Sequence, residues 1–381
     1  MRGRSPRNAA APEAPAGRAS ASEPDGDGVR GRSPRNAAAP PRSAFVVSLV
    51  TRGSPAQLTG GHLYHRRMAE AAPARDAAVE FVSLSRWQNP FPRSPGVVVV
   101  DSITAWSVAP WMLTRRSRPV AAILHQPPGG IGQPALRTAL QRPLDRACYR
   151  RCDLLIAASA ALGTELTEVY GYPADRVDVV EPGCDLPLER APTMDVRRGR
   201  QVALLCVANW SATKGLLELL DALAGLPDGH ATLHLAGRED VDAAYTASVR
   251  TRLARPDLQG RVVTHGPLDR DGVAALFANA DAFVLPSYVE TYGTVYGEAL
   301  AAGLPTVGWR AGNLPNLVTD GREGCLVIPG DVAGLRAVLD RLATDEAWRD
   351  GLAAAAATRG ATLPTWDDAA DAFFGALRRL A

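Results

Sequence analysis

The chain has 381 residues, 46% hydrophobic and 22% charged, with a formal net charge of +2. That is long enough for two domains with sizeable cores, and it lacks the concentrated basic face of a nucleic-acid binder. Five scattered cysteines exclude a disulfide framework and suit a reducing, cytoplasmic compartment, and no stretch approaches the ~18 uninterrupted apolar residues of a membrane-spanning helix.

At the N-terminus the arginines have no apolar run behind them, which argues against a signal peptide. The segment RGRSPRNAAAP occurs at Arg2–Pro12 and again at Arg30–Pro40, in a stretch with eight Arg against four acidic residues and Val29 as its one branched aliphatic residue. So little apolar area cannot offset the entropy of ordering, which predicts a disordered tail over 1–43. Two copies make no solenoid. The tail reads as an extension of no consequence ahead of a basic arm for an anionic membrane surface, the second leaving peripheral membrane association open.

From Ala44 short apolar runs alternate with helical patterns. The runs AFVVSLV (44–50), GVVVVD (96–101), VAAILH (120–125) and DLLIAAS (153–159) predict strands, with helices over 62–72 and 134–152, the second expected to break or kink at Pro143. Continuous Val/Ile/Leu runs separated by helices indicate a parallel sheet buried on both faces. Cys148 and Cys152, four apart on the second helix, admit a metal pair. No second pair follows at zinc-like spacing, so they are read as buried thiols. The rhythm pauses near Glu181–Arg200, with Pro182, Pro187 and Pro192, and restarts with QVALLCVA (201–208), ATLHLAG (231–237), RVVTHG (261–266), DAFVLPS (281–287), PTVGW (305–309) and CLVIPG (325–330). Two such series predict an α/β chain with two doubly wound, Rossmann-like domains facing a cleft, over 44–195 and 196–360, followed by a terminal segment 361–381. Within that segment Trp366, Ala370, Phe373, Phe374 and Leu377 form an amphipathic stripe.

The stretch DAFVLPSYVETYGTVYGEALAAGLPTVGW (281–309) reads as strand, loop, helix, turn, strand. Its helix is expected from Gly293 or Thr294 through Leu300, stopped by Gly303 with Pro305 beyond. Glu290 precedes the helix, and Glu298, a little over one turn inside it, leans back toward the same space. The amides of Tyr292, Gly293, Thr294 and Val295 would face that space too and suit a diphosphate. Taken alone, two Glu eight residues apart read equally well as a solvated helix face.

The whole run PSYVETYGTVYGEALAAGLPTVG resembles the Glu-x7-Glu signature of the retaining GT-B glycosyltransferases of family 4, and the similarity extends over roughly 44–381, strongest over 200–375. The resemblance implies a nucleotide-diphosphate-sugar donor, commonly a UDP- or GDP-sugar, and no cofactor or metal. It implies that Glu290 contacts the donor sugar and Glu298 the ribose hydroxyls. VANWSATKG (207–215) stands where the family holds the donor diphosphate, with Lys214 opening the helix LLELLDALAGL (216–226). A cation there opposes the helix macrodipole by ~0.3–1 kcal/mol, which favours an anionic partner. Asn209 stands where many relatives carry Arg, leaving Lys214 and the helix amides with more of that task. LTGGHLYHRRMAE (58–70) resembles the family's glycine-rich loop, where Gly60 and Gly61 let the backbone approach acceptor and donor phosphate. Its His62 and His65 read as helix-surface residues. His125, ending a strand, matches a histidine that lines the donor sugar, against the reading of a satisfied core histidine. Asp101, at a similar strand end, is a candidate acceptor contact. Family members also end in a helix that crosses back to the first domain, which 365–381 fits.

Together these imply retaining, metal-independent transfer by front-face attack, with the leaving diphosphate helping to remove the acceptor proton. The acceptor stays open among a lipid-linked glycan, a metabolite and a polyol. The alternatives are a catalytically silent GT-B scaffold, kept in view by Asn209, and a GT-B sugar-nucleotide epimerase or phosphorylase. A dinucleotide oxidoreductase lacks its G-x-G-x-x-G after the first strand.

Overall fold

The computed structural model describes residues 44–52, 60–84, 91, 95–113, 118–131, 133–186, 188–290 and 292–381. The tail 1–43 and positions 58–59 of the glycine-rich stretch lie outside them. Among the described residues, twelve strands form two six-stranded sheets, parallel throughout.

The first sheet holds β1 (Phe45–Thr51), β2 (Ala77–Ser83), β3 (Val97–Asp101), β4 (Val120–Leu124), β5 (Leu154–Ala157) and β6 (Val177–Val179), in the order β2-β1-β3-β4-β5-β6. Every residue of β3 and β4 is buried, which is what an unbroken Val/Ala/Ile run requires of a central parallel strand. The two edge strands, β2 and β6, were not expected from the sequence. β2 is mostly half-exposed and carries Glu80, and β6 is three residues long with Asp178 at its centre, so neither presents an apolar run.

The second sheet holds β7 (Val202–Val207), β8 (Ala231–Ala236), β9 (Val262–Gly266), β10 (Ala282–Val284), β11 (Thr306–Trp309) and β12 (Gly324–Val327), in the order β12-β11-β10-β7-β8-β9. Each falls within or next to one of the six expected runs. The chain winds outward from β7 through β9, then returns to lay β10 on the other side of β7. The loops after β7 and β10 therefore part at the sheet's topological switch point, where doubly wound sheets open a crevice.

The terminal helix Trp366–Arg378 packs on the first sheet, with Trp366, Phe373, Phe374 and Leu377 in one core with Val47, Tyr64 and Met68. Thr365 and Asp368 start it with a reciprocal capping box. The crossing point is tight. A Cβ on Gly183 would stand 2.3 Å from the Trp366 nitrogen, Cys184 N–H donates to Pro364 O at 3.0 Å, and Trp366 N–H donates to the Asp185 carboxylate at 2.9 Å.

Of the break or kink expected at Pro143, the break does not occur: the helix Ala135–Tyr149 continues through it. Pro143 is exposed, and buried Cys148 and Tyr149 anchor the turns beyond it, so one missing backbone bond is tolerated. All five cysteines are buried.

Candidate active site

A cavity of about 330 Å³ opens between the two sheets. Gly61, His125, Ala158 and Pro182 line it from one side, and Asn209, Lys214, Glu290 and the stretch Tyr292–Val295 from the other. Sequence reasoning did not single out Ala158 or Pro182, since small apolar wall residues carry no chemical signal.

The loop after β10 is fastened to the loop after β7. Ser287 Oγ and Tyr288 N–H both donate to Thr213 O, at 3.0 and 2.8 Å. Glu290 O accepts from Asn313 N–H at 2.9 Å, and Gly312, at φ +57°, packs against the Glu290 backbone where a Cβ would fall 2.6 Å from that oxygen. Glu290 is thus fixed at the cavity wall, and its carboxylate pairs with the Lys214 ammonium. The helix Thr294–Ala301 begins on Gly293, which takes φ +76° as its N-cap. The amides of Gly293, Thr294 and Val295 make no backbone hydrogen bond among the described residues, which leaves the positive end of the helix facing the cavity. Tyr292 plays a different part: its buried side chain donates to Pro182 O at 3.2 Å and meets Cys184 Sγ at 3.3 Å, tying this loop to the crossing segment.

The helix after Lys214 contributes less than its position suggested. The amides of Leu216 and Leu217 are taken by the Tyr245 hydroxyl, at 2.9 and 3.3 Å. Asn209 lines the cavity but spends its side-chain oxygen on Arg238 N–H at 3.1 Å. Among the cavity-lining side chains, Lys214 is the one cation.

On the opposite wall, Gly60 and Gly61 are already helical, in the helix Gly60–Ala71. A Cβ on Gly61 would stand 3.2 Å from the His125 ring, so the missing side chain lets helix and imidazole touch. Behind His125 lies a polar cluster that the sequence reading did not foresee. The register that sets Val50 beside Val100 and Asp101 beside Ile123 brings Thr51, Asp101 and His125 to the carboxyl ends of neighbouring strands. His65 reaches the same point from the 60–71 helix. His62 and His65 are therefore not surface residues: their exposures are 6% and 1%. The two Nε2 atoms of His65 and His125 are 3.2 Å apart, and His65 Nδ1 is 3.7 Å from Asp101 Oδ2. Asp101, 2% exposed, is too deep to touch an acceptor. It accepts from Thr51 Oγ1 at 2.7 Å, Ser102 Oγ at 3.3 Å and Ile103 N–H at 3.2 Å. Burial pushes the His65 imidazole down to about 3, against the pull of Asp101, and lowers His125 as well.

Residues 41–187 match the family described as Glycosyltransferase Family 4, and residues 201–345 match Glycosyl transferases group 1. The chain belongs to glycosyltransferase family 4. It is 32% identical over 260 residues to the glycogen synthase of Mycobacterium tuberculosis, covering 67% of this chain and 61% of that protein. It is 28% identical over 257 residues to the D-inositol 3-phosphate glycosyltransferase of Xylanimonas cellulosilytica, covering 64% and 60%. The chain thus spans half to three-fifths of the length of the curated relatives it matches. Among solved structures, HepE from Anabaena in complex with UDP and glucose superposes with a TM-score of 0.73 at 20% identity, over 88% of this chain and 100% of that one. The sucrose-phosphate synthase of Thermosynechococcus elongatus gives 0.75 at 19% identity, over 88% and 99%. These show the two-domain GT-B fold.

Of the two glutamates of the signature, Glu290 lines the cavity and Glu298 is not among its lining residues. Glu298 sits one turn behind Thr294 on the same helix face, outside the residues that line the cavity. Its carboxyl is partly buried and faces Arg270, Asp185 and Arg67. Burial raises it to about 7, opposed by the two arginines. The folded chain therefore holds this proton where an unfolded carboxyl, at 4.5, has released it. Its contribution to stability is full below about pH 4.5 and is lost as the pH rises through about 7. Glu298→Gln should raise Tm by ~2 °C or more at about pH 8.5 and leave it unchanged near pH 4.5. Equal shifts at both pH values, read by differential scanning calorimetry, would count against the buried-carboxyl account.

His65, Asp101 and His125 are the one group among the described residues whose ligand atoms, within 4.8 Å of one another, could hold a metal ion. The two imidazoles direct Nε2 at each other, which favours a hydrogen-bonded histidine pair over a metal cage. No helix among the described residues is long and apolar enough to cross a membrane.

Proposed function

We propose that this chain is a retaining, metal-independent glycosyltransferase that moves a sugar from a UDP- or GDP-sugar to an acceptor hydroxyl within the cavity. The observation that carries the reading is the meeting of Lys214, the open amides of 293–295 and Glu290 on one wall, with His125 on the other. In the reaction the bond between the sugar's anomeric carbon and the diphosphate oxygen breaks, and a bond to the acceptor oxygen forms on the same face. The acceptor's proton passes to the departing diphosphate. The protein's part is electrostatic and positional. Lys214 and the helix amides stabilise charge growing on the diphosphate, while Glu290 and His125 hold the sugar. Glu298, one turn further along, takes the ribose hydroxyls. Residues 44–195 supply the acceptor side and 196–360 the donor side, with no cofactor. Support for a nucleotide sugar comes also from HepE, whose structure contains UDP and glucose.

A silent scaffold is the second reading, favoured by the uncharged Asn209 beside the expected diphosphate position. Calorimetric titration with UDP, GDP, ADP and TDP, with magnesium and then with a chelator, separates the two. One diphosphate bound well above the rest and unaffected by the chelator supports the transferase, and proton NMR of the product's anomeric configuration then tests retention. No binding by any of the four supports the scaffold.

A further inference from the structure

We propose that the face carried by the 135–149 helix docks on an anionic lipid bilayer. Leu136, Leu140 and Leu144 recur every fourth residue on this helix and are 74%, 65% and 41% exposed, an inversion of the pattern of a helix that only packs on its own sheet. With Trp106 of the helix Ala105–Val108 they line a groove of about 390 Å³, whose other walls are Arg137 and Gln141. Leu113, 68% exposed, lies on the segment that follows the 105–108 helix. A contiguous apolar surface of this kind marks an interaction site.

Charge decides among the occupants. Arg137 and Arg142 are exposed on the same helix and form no salt bridge among the described residues. Arg52, also exposed, lies over the Trp106 ring at 5.0 Å and brings another cation to the rim. The helix's one carboxylate, Asp145, is turned inward, accepting from Gly129 N–H at 2.9 Å and Gln141 Nε2 at 3.1 Å. Glu165 is the acidic group that faces Arg142 from the neighbouring turn, and it is partly buried. A stable protein interface needs about one hydrogen bond per 100–200 Å², and the groove offers few polar groups to make them. A bilayer fits both features: the leucines enter beneath the headgroups, and the long guanidinium arms reach the phosphates above. The Asp145 bond to Gly129 ties this helix to the loop that follows His125. An acceptor resident in the bilayer would then be presented beside His125, a consequence that rests on the transferase reading, whereas docking itself does not.

The test is cosedimentation of the full chain with extruded vesicles of phosphatidylcholine alone, and of about three parts phosphatidylcholine to one part phosphatidylglycerol. Wild type is expected to bind the anionic vesicles. The variants Leu136→Ser/Leu140→Glu and Arg137→Ser/Arg142→Ser should each weaken that binding by about tenfold or more. All four positions are exposed, so the melting temperature should hold in both variants. Three outcomes overturn the proposal. The first is wild type binding neither vesicle. The second is the leucine variant binding anionic vesicles as wild type does, which would assign binding to the arginine-bearing residues 1–43. The third is wild type eluting from a sizing column as a dimer that the leucine variant dissociates, making the face an interface between two copies.

Discussion

Lys214→Ala should weaken binding of the cognate nucleoside diphosphate by ~10–150-fold, the worth of hydrogen bonds to a charged group, whereas Glu290→Gln should tighten it. Opposite signs are expected because the two side chains pair in the absence of ligand. Their exposures of 22% and 16% place the pair at the edge of solvent, where an ion pair adds little stability of its own. A diphosphate entering the cavity must therefore take the ammonium from Glu290 and accept a carboxylate nearby. Glu290→Gln removes the competitor and the repulsion together, and a gain of roughly 3–10-fold in affinity follows from a partly screened charge at close range. Transfer should nevertheless fall in Glu290→Gln, since the carboxylate is assigned to the sugar, so affinity for product and rate of turnover move apart. Calorimetry on both single variants and on the Lys214→Ala/Glu290→Gln double variant closes a thermodynamic cycle. If Glu290→Gln loses as much diphosphate affinity as Lys214→Ala, the glutamate serves the diphosphate and the division of roles proposed above fails.

How far the sequence could carry this site depended on whether a residue's task is local. The Glu290–Glu298 stretch was legible because strand, turn, helix cap and helix stop follow one another in a single segment, each with its own signal, down to the positive φ that Gly293 and Gly303 supply. The second sheet was legible for the same reason, each strand being a short run bounded by turns and all but the edge strand β9 being buried. Across the first sheet the signal weakened at the edges: β2 and β6 are half-exposed, and exposure removes the apolar run by which a parallel strand is read. Relations between distant segments were not legible at all. That Tyr245, near the start of another helix, takes the amides after Lys214 depends on the packing of two helices. The face of the 60–71 helix was misassigned because its histidines occupy positions where hydrophobic residues usually announce burial. His65 is buried against polar groups at three strand ends, and only strand register brings those together.

That buried cluster yields the second large effect. Both imidazoles are held neutral by burial, so each ring carries one proton, and the 3.2 Å contact between their Nε2 atoms needs one donor and one acceptor. Asp101 stands 3.7 Å from His65 Nδ1, too far for a hydrogen bond, but its negative charge favours the proton on that nitrogen. His65 Nε2 then accepts from His125 Nε2–H, and the His125 ring is fixed in one tautomer and one orientation at the cavity wall. His65 is a positioning residue in this account. His65→Ala and Asp101→Asn should each lower kcat about 100-fold, the cost of misplacing a group at the reacting centre, while the donor KM changes little. His65→Gln, which can still present an acceptor to His125, should recover part of the loss. An independent readout comes from acid. A histidine near 6.5 when unfolded and about 3 when folded contributes stability that is complete above pH 6.5 and declines as the pH falls toward 3, because the unfolded chain takes up the proton first. His65→Gln should therefore flatten the loss of stability between about pH 6.5 and 3 in urea melts. Turnover within about twofold of wild type in both His65→Ala and Asp101→Asn would show that the histidine pair does not reach the chemistry and that the cluster only holds three strand ends together.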